Sequence, residues 1–217
     1  MNGRPRRRTP ATKALMIAIV IGFAIEIVTG AWLDGEKLAL LGAIVRELIV
    51  EHGQWWRLVT AMFLHGDATI GGDFLHLAVN LFSLYQIGRL YELMFGGRRF
   101  VGLYFATGIA ASLTSMWHNP GPSVGASGAI FGIVGAFISS VLRSPRWRHE
   151  RGARSIVLQL IGWTVLNFLV LMSFPQIDNA AHMGGLVSGL ILGALLPHRV
   201  PPPPPSATVI DVQPYEG

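Results

Sequence analysis

The chain has 217 residues, of which 51% are hydrophobic and only 13% are charged, and its mean hydropathy is +0.48. Soluble domains carry roughly 25% charged residues, so this composition excludes an ordinary water-soluble globular domain. The absence of cysteine excludes a disulfide framework and thiolate metal sites. A net charge of +5 would suit a nucleic-acid partner, but the positions of the basic residues argue against one.

Apolar runs of about 20 residues match the ~30 Å hydrocarbon core of a bilayer, and backbone polar groups in lipid require helices. The sequence therefore predicts an all-α membrane protein, a bundle of six transmembrane helices with a long first outer loop at about 33–72. A basic N-terminal tail (1–13) precedes the core of residues 14–197, and a Pro-rich C-terminal tail (198–217) follows it. The predicted spans are 14–32, 73–95, 100–117, 126–142, 155–174 and 180–196.

Basic residues predict the orientation, because Lys and Arg concentrate on the cytoplasmic side of membrane spans. With six spans, 14 of the 17 basic residues fall on one side, and Lys37, Arg46 and Arg57 fall on the other. Both tails are then cytoplasmic, and we expect a multi-pass protein of the bacterial inner (plasma) membrane. The 14 residues are Arg4, Arg6, Arg7, Arg8, Lys13, Arg89, Arg98, Arg99, Arg143, Arg146, Arg148, Arg151, Arg154 and Arg199.

Four polar residues are expected at one depth of this bundle, because spans two, four and six all run inward from the outer face. His76 and Asn80 open span two, Ser127 opens span four, and His182 opens span six. Small residues recur every four positions just after the serine and the second histidine. Such ridges let helix backbones approach closely, although ordinary packing alone also produces them. The ridges are Gly128, Gly132 and Ala136 on span four, and Gly185, Gly189 and Gly193 on span six.

These residue types fit acyl-transfer chemistry. A serine hydroxyl becomes nucleophilic when a neutral histidine removes its proton, which fits Ser127 and His182. His76 and Asn80 lie one helical turn apart and can both donate to an oxyanion. The alternatives are a helix cap or packing role for Ser127, an interfacial hydrogen bond for His182, and a polar pair that pins span two.

Two further combinations are weaker. A metal site at His65, His76 and His182 lacks a carboxylate at a convincing spacing, and Asn80 suits zinc poorly. Asp178 precedes His182 by four residues and could orient its ring, but Asp178 or Asn179 is better explained as the cap of span six. We therefore predict a Ser-His dyad with no metal and no cofactor.

The chain resembles the rhomboid intramembrane serine proteases over residues 52 to 196. Three motifs carry the resemblance: Gly125-Ala126-Ser127-Gly128, the H-x-x-x-N pair of His76 and Asn80, and the stretch Ala181-His182-Met183-Gly184-Gly185. Their order on alternate spans is specific. The resemblance implies Ser127 as nucleophile and His182 as general base. It also implies His76, Asn80 and the Ser127 backbone as the oxyanion site.

The resemblance further implies structural roles outside the dyad. Arg57, in Trp56-Arg57, would brace the outer loop, and Glu92 would anchor the inner end of span two. His65 completes the loop pattern Arg57-x-x-Thr60-x-x-x-x-His65, where a structural role fits better than catalysis. Phe131 stands where many members carry a tyrosine that stacks on the base. Gly185 and Gly189 belong to the same structural support.

The predicted function is cleavage of transmembrane segments of membrane protein substrates by an intramembrane serine endopeptidase. Its partners would be those substrates and the lipid bilayer, with no nucleic acid, and its active site would open to the periplasmic side. The alternatives are a catalytically inactive rhomboid-like binder of membrane proteins and a small transporter. The oligomeric state, the substrate and the cleavage-site preference do not follow from the sequence.

Overall fold

The computed structural model describes residues 8–66, 74–119, 121–145, 149–171 and 177–196. Within these ranges the chain is helical, and its β-type pairing is one isolated bridge between Ile44 and Ser123. Most of the two predicted tails, including the polyproline segment 201–205, lies outside the described residues. The helices are α1 (Pro10–Thr29), α2 (Gly35–Leu41), α3 (Arg46–Val50), α4 (Arg57–Thr60), α5 (Phe74–Ser83), α6 (Arg89–Phe95), α7 (Gly97–His118), α8 (Ser127–Arg143), α9 (Arg151–Leu171) and α10 (Asn179–Leu195).

The long helices follow the predicted spans closely. Within the described ranges, three of them are long and apolar enough to cross a membrane, namely α1, α7 and the Arg151–Leu169 part of α9. The apolar helices α8 and α10 are shorter, at 17 residues each. The predicted second span is a continuous rod in which a π-helical turn (Leu84–Gly88) joins α5 to α6. The number of membrane crossings therefore stays a prediction, whereas the helices themselves are present.

The start of α1 is fixed by a carboxylate from a distant helix. Glu92 of α6 accepts hydrogen bonds from the backbone N–H groups of Ala11 (3.0 Å) and Thr12 (2.8 Å) and from the Thr12 hydroxyl (2.7 Å). A negative charge is favourable at this end of a helix, and Pro10 suits its first position. The helix therefore begins four residues earlier than the predicted span, and Glu92 joins α6 to α1.

Helix α8 lies at the centre of the bundle, buried along nearly its whole length between α7 and α10. Glycines of α10 rest directly on backbone carbonyl groups of α8. A Cβ atom at Gly185 would lie 2.0 Å from the Gly128 oxygen, and one at Gly189 would lie 1.9 Å from the Gly132 oxygen. No larger residue fits at that distance, so the two small-residue ridges dock as predicted.

The described part of the first outer connection is compact and hydrogen-bonded to itself. The predicted amphipathic piece at 38–50 is two short helices, α2 and α3, because Gly42 has φ +124° and ends α2. The buried Arg57 donates to the Gln54 side chain (2.7 Å), to the Ala43 carbonyl (3.0 Å) and to the Ala39 carbonyl. The guanidinium thus joins three points of the loop.

Candidate active site

Ser127 and His182 meet at the N-terminal ends of α8 and α10. Ser127 is the first residue of α8, His182 lies in the first turn of α10, and the serine Oγ is 2.7 Å from the histidine Nε2. This is ordinary hydrogen-bond distance for a hydroxyl and an imidazole. The glycine contacts described above lie directly below and hold the two helix backbones close enough for this pair to form.

An aromatic ring supports the imidazole from the side. Phe131, one turn after Ser127, stacks on His182 with ring centroids 4.7 Å apart and an interplanar angle of 24°. Its own ring is held by Trp163 at 5.1 Å and Phe168 at 5.2 Å, both from α9. A phenylalanine therefore provides the stacking contact that the family pattern associates with tyrosine, and it does so without a hydroxyl.

Asp178 does not form the third member of a triad. Its Oδ1 accepts from the Ala181 backbone N–H at 2.9 Å, which is the predicted capping role. Its Oδ2 accepts from the hydroxyl of Ser123 at 2.7 Å and from that of Ser115. Among the described residues, the Nδ1 atom of His182 has no hydrogen-bond partner. Ser127 and His182 therefore form a hydrogen-bonded pair in which Asp178 takes no part.

The turn before Ser127 is held by two backbone N–H groups. The Gly125 N–H donates to the Ala61 carbonyl at 2.9 Å, and the Ala126 N–H donates to Nε2 of His65 at 3.3 Å. Gly125 has φ +129°, a conformation that residues with a Cβ rarely adopt. Both acceptors belong to the end of the first outer connection, so this connection determines where α8 begins.

His76 borders the same space as the serine hydroxyl. A Cβ atom at Gly125 would lie 3.1 Å from Nε2 of His76 and 3.7 Å from Oγ of Ser127. Asn80 is buried one turn further along α5 and donates through Nδ2 to the His76 carbonyl at 2.9 Å. That bond uses one of its two amide hydrogens and leaves the other available. The structure thus brings His76 to the turn that precedes Ser127 and fixes Asn80 beside it on the helix.

His65 is fully buried beside this turn, with its ring centroid 5.3 Å from that of His76. Burial, helped by the neighbouring His76, lowers the pKa of His65 to about 3. The ring is therefore neutral at physiological pH and can accept the Ala126 N–H. Across the described ranges, His, Cys, Asp and Glu form no group of three that could hold a metal ion.

Two features of this region were not predicted. Glu26 of α1 is fully buried and accepts the His65 backbone N–H at 2.7 Å. The available signal was a lone acidic residue inside the first predicted span, since ionisable groups in membrane helices are costly and commonly functional. The serines that donate to Asp178 had no comparable signal, because isolated serines are common in membrane helices.

Comparison with known proteins identifies the family. The model of the Rhomboid domain matches residues 52–199. The chain belongs to the rhomboid family. This confirms the resemblance inferred from the motifs, and with the apolar helices it makes the chain an integral membrane protein.

Individual relatives agree with this rhomboid assignment. The Bacillus subtilis protein named rhomboid protease GluP is 35% identical over 200 residues, which cover 90% of this chain and 36% of that protein. RHOMBOID-like protein 5 of Arabidopsis thaliana is 40% identical over 162 residues, covering 73% of this chain and 49% of that protein. YdcA of Bacillus subtilis is 35% identical over 150 residues, covering 67% of this chain and 69% of that protein. This rhomboid chain therefore spans a third to a half of the length of the first two relatives.

Proposed function

We propose that this rhomboid protein is an intramembrane serine endopeptidase that cleaves transmembrane segments of membrane proteins with a Ser-His dyad. The 2.7 Å separation of Ser127 Oγ and His182 Nε2 carries the proposal. Packing alone does not account for a half-buried serine hydrogen-bonded to a buried histidine at the ends of two tightly docked helices. The protease in the name of GluP agrees with this assignment.

In the proposed reaction, Ser127 attacks the substrate carbonyl while His182 takes its proton as general base. The resulting oxyanion accepts hydrogen bonds from the Ser127 backbone N–H, His76 and Asn80. The tetrahedral intermediate then collapses, His182 protonates the leaving amine, and an acyl-enzyme forms. Water, deprotonated by His182, releases the acyl group and restores the serine. No cofactor takes part in any of these steps.

The surroundings of the dyad support these roles. The Ser127 N–H lies at the positive end of α8, where the helix dipole favours a developing negative charge. Stacking on Phe131 limits rotation of the His182 ring, which keeps Nε2 directed at the serine. In the predicted orientation this end of the bundle faces the periplasm, from which water would enter. The substrates are membrane protein segments that can unwind locally near the cut.

The proposal is tested by incubating the purified protein in detergent or liposomes with a panel of single-span substrates. We expect cleavage by the wild type and none by folded Ser127→Ala. A serine-directed fluorophosphonate should label the wild type and fail to label His182→Ala. Cleavage by Ser127→Ala at the wild-type rate would refute the nucleophile. A wild type that binds substrates without cutting or labelling would instead be the inactive binder.

A further inference from the structure

Glu26 is placed where no role in the reaction or in helix packing accounts for it. It lies in α1, three residues before the end of that helix, and none of its side chain is exposed to solvent. A carboxyl group buried within a membrane bundle costs free energy unless it makes strong hydrogen bonds. Its contacts are with His65 and Gly66, at the end of the first outer connection.

The carboxyl group holds the end of the first outer connection. Its Oε1 accepts the His65 backbone N–H at 2.7 Å, which is a short hydrogen bond for an N–H donor. Its Oε2 lies against Gly66, where an added Cβ atom would come within 2.9 Å of that oxygen and 2.8 Å of the Trp32 Cα atom. The backbone can come this close to α1 because residue 66 has no side chain.

The His65 ring connects this contact to the residue before Ser127. Its Nε2 accepts the N–H of Ala126, the residue before Ser127. A change in the position of the His65 backbone would therefore displace the residue that precedes the serine. A displacement of about 1 Å in a reacting group can cost roughly 10²-fold in rate, so a distant carboxylate can matter to catalysis.

We propose that Glu26 is a positioning residue for Ser127, acting through His65 and Ala126 to fix the start of α8. The proposal rests on the proposed function for its kinetic consequence, but the positioning itself is a property of the fold. Glu26 touches neither the substrate nor the reacting atoms. Its role is to supply a hydrogen-bond acceptor at a fixed point on α1.

Two substitutions of Glu26 distinguish the effect of its hydrogen-bond acceptor from the effect of its charge. Glu26→Leu has similar bulk and no acceptor, whereas Glu26→Gln keeps a carbonyl oxygen in the position of Oε1. We expect Glu26→Leu to lower kcat by roughly 10²-fold with KM nearly unchanged, and Glu26→Gln to retain most of the wild-type rate. Ile19→Ala removes buried packing from the same face of α1, seven residues earlier, and is the control. It should lower the Tm without changing the labelling rate of the folded protein.

Amide hydrogen exchange gives a readout that does not require activity. We expect Glu26→Leu to speed exchange at His65 and Ala126, and Ile19→Ala to leave both amides protected. If His65 and Ala126 stay protected in Glu26→Leu, the proposal is overturned, whether or not the wild type cleaves. If the wild type does not label with a fluorophosphonate, the proposed protease function fails, and the exchange result alone decides the role of Glu26.

Two further outcomes are also decisive. If Glu26→Leu does not fold, folded Glu26→Gln provides the test, and a loss of labelling above about 10-fold in it would refute the acceptor role. The double variant Glu26→Leu/His65→Ala should be no slower than the slower single variant, because both act through one chain of contacts. Multiplicative losses in the double variant would show that the two residues act separately.

Discussion

Gly189 of α10 sits on the backbone carbonyl oxygen of Gly132 in α8, where even a methyl group would come within 1.9 Å of that oxygen. The contact holds together the two helices that carry Ser127 and His182, which are 55 residues apart in sequence. The distance between the serine and the histidine is therefore set by the backbones of two helices.

Replacing Gly189 should separate the two helices. We expect Gly189→Ala to destabilise the protein by about 1–3 kcal/mol, the usual range for overpacking, because backbone cannot move aside as a side chain can. Fluorophosphonate labelling of the folded protein should fall as well. The control is Gly162→Ala on α9, where a Cβ would have no neighbour within 4 Å. It should be neutral or stabilising, since alanine favours a helix over glycine. Equal losses in both variants would contradict the close-contact explanation.

Asn80 should matter through its remaining amide hydrogen. We expect Asn80→Ala to lower kcat by about 10²-fold, the scale of one lost oxyanion donor. The matched control is Asn167→Ala on α9, because Asn167 donates to the carbonyl four residues earlier at 2.8 Å, just as Asn80 does at 2.9 Å. Cleavage assays should show no kinetic change for Asn167→Ala. Similar modest changes in both variants would remove Asn80 from the oxyanion site.

Phe131 should contribute to the rate by holding the imidazole. Aromatic stacking contributes about 0.5–1.5 kcal/mol, so Phe131→Leu should reduce kcat by roughly 2- to 10-fold. The reference substitution is Phe137→Leu, a fully buried aromatic residue on the same helix that packs on Tyr91 and Phe95. Both variants should lower the Tm. Only Phe131→Leu should slow labelling of the folded enzyme, and identical labelling rates would argue against ring support.

His65 should make the protein sensitive to acid. Its folded-state pKa is about 3, whereas an unfolded histidine titrates near 6.5, so the unfolded chain binds more protons between these values. Stability from this group is complete above about pH 6.5 and falls as the pH drops toward 3, by about 1.4 kcal/mol per unit. His65→Gln should show a shallower decline in denaturation measurements. The control is His118→Gln, because His118 is exposed. If stability falls with pH as steeply in His65→Gln as in the wild type, protonation of His65 does not cause the acid sensitivity.

The helices were predictable because hydropathy alone marks them. Five of the predicted spans have boundaries within a few residues of those of α1, α7, α8, α9 and α10. The predicted second span coincides with the rod from Phe74 to Phe95. The early start of α1 could not be predicted, because the carboxylate that caps it comes from a residue 80 positions away. The form of the outer connection could not be predicted either, since it depends on the positive φ of Gly42 and the tertiary contacts of Arg57.

The candidate site could be predicted from the sequence for a different reason. Ser127, His182, His76 and Asn80 carry reactive or polar groups at the ends of apolar segments, where few such residues occur, and the topology places them at one level. Phe131 was predictable as a stacking ring because the resemblance to the rhomboid proteases places an aromatic residue at this position. Glu26 and the serines around Asp178 contribute through hydrogen bonds between distant segments, for which a single sequence contains no spacing rule.

The π-helical turn at Leu84–Gly88 divides the rod that carries both Asn80 and Glu92. Such a turn holds one more residue than an α-helical turn, so the lower half is rotated by about 100° relative to an uninterrupted α-helix. A helical wheel drawn through the whole rod would therefore assign Glu92 to the wrong face. The upper half carries Asn80 beside His76 while the lower half directs the Glu92 carboxylate at α1, because the wide turn sets the angle between the two halves.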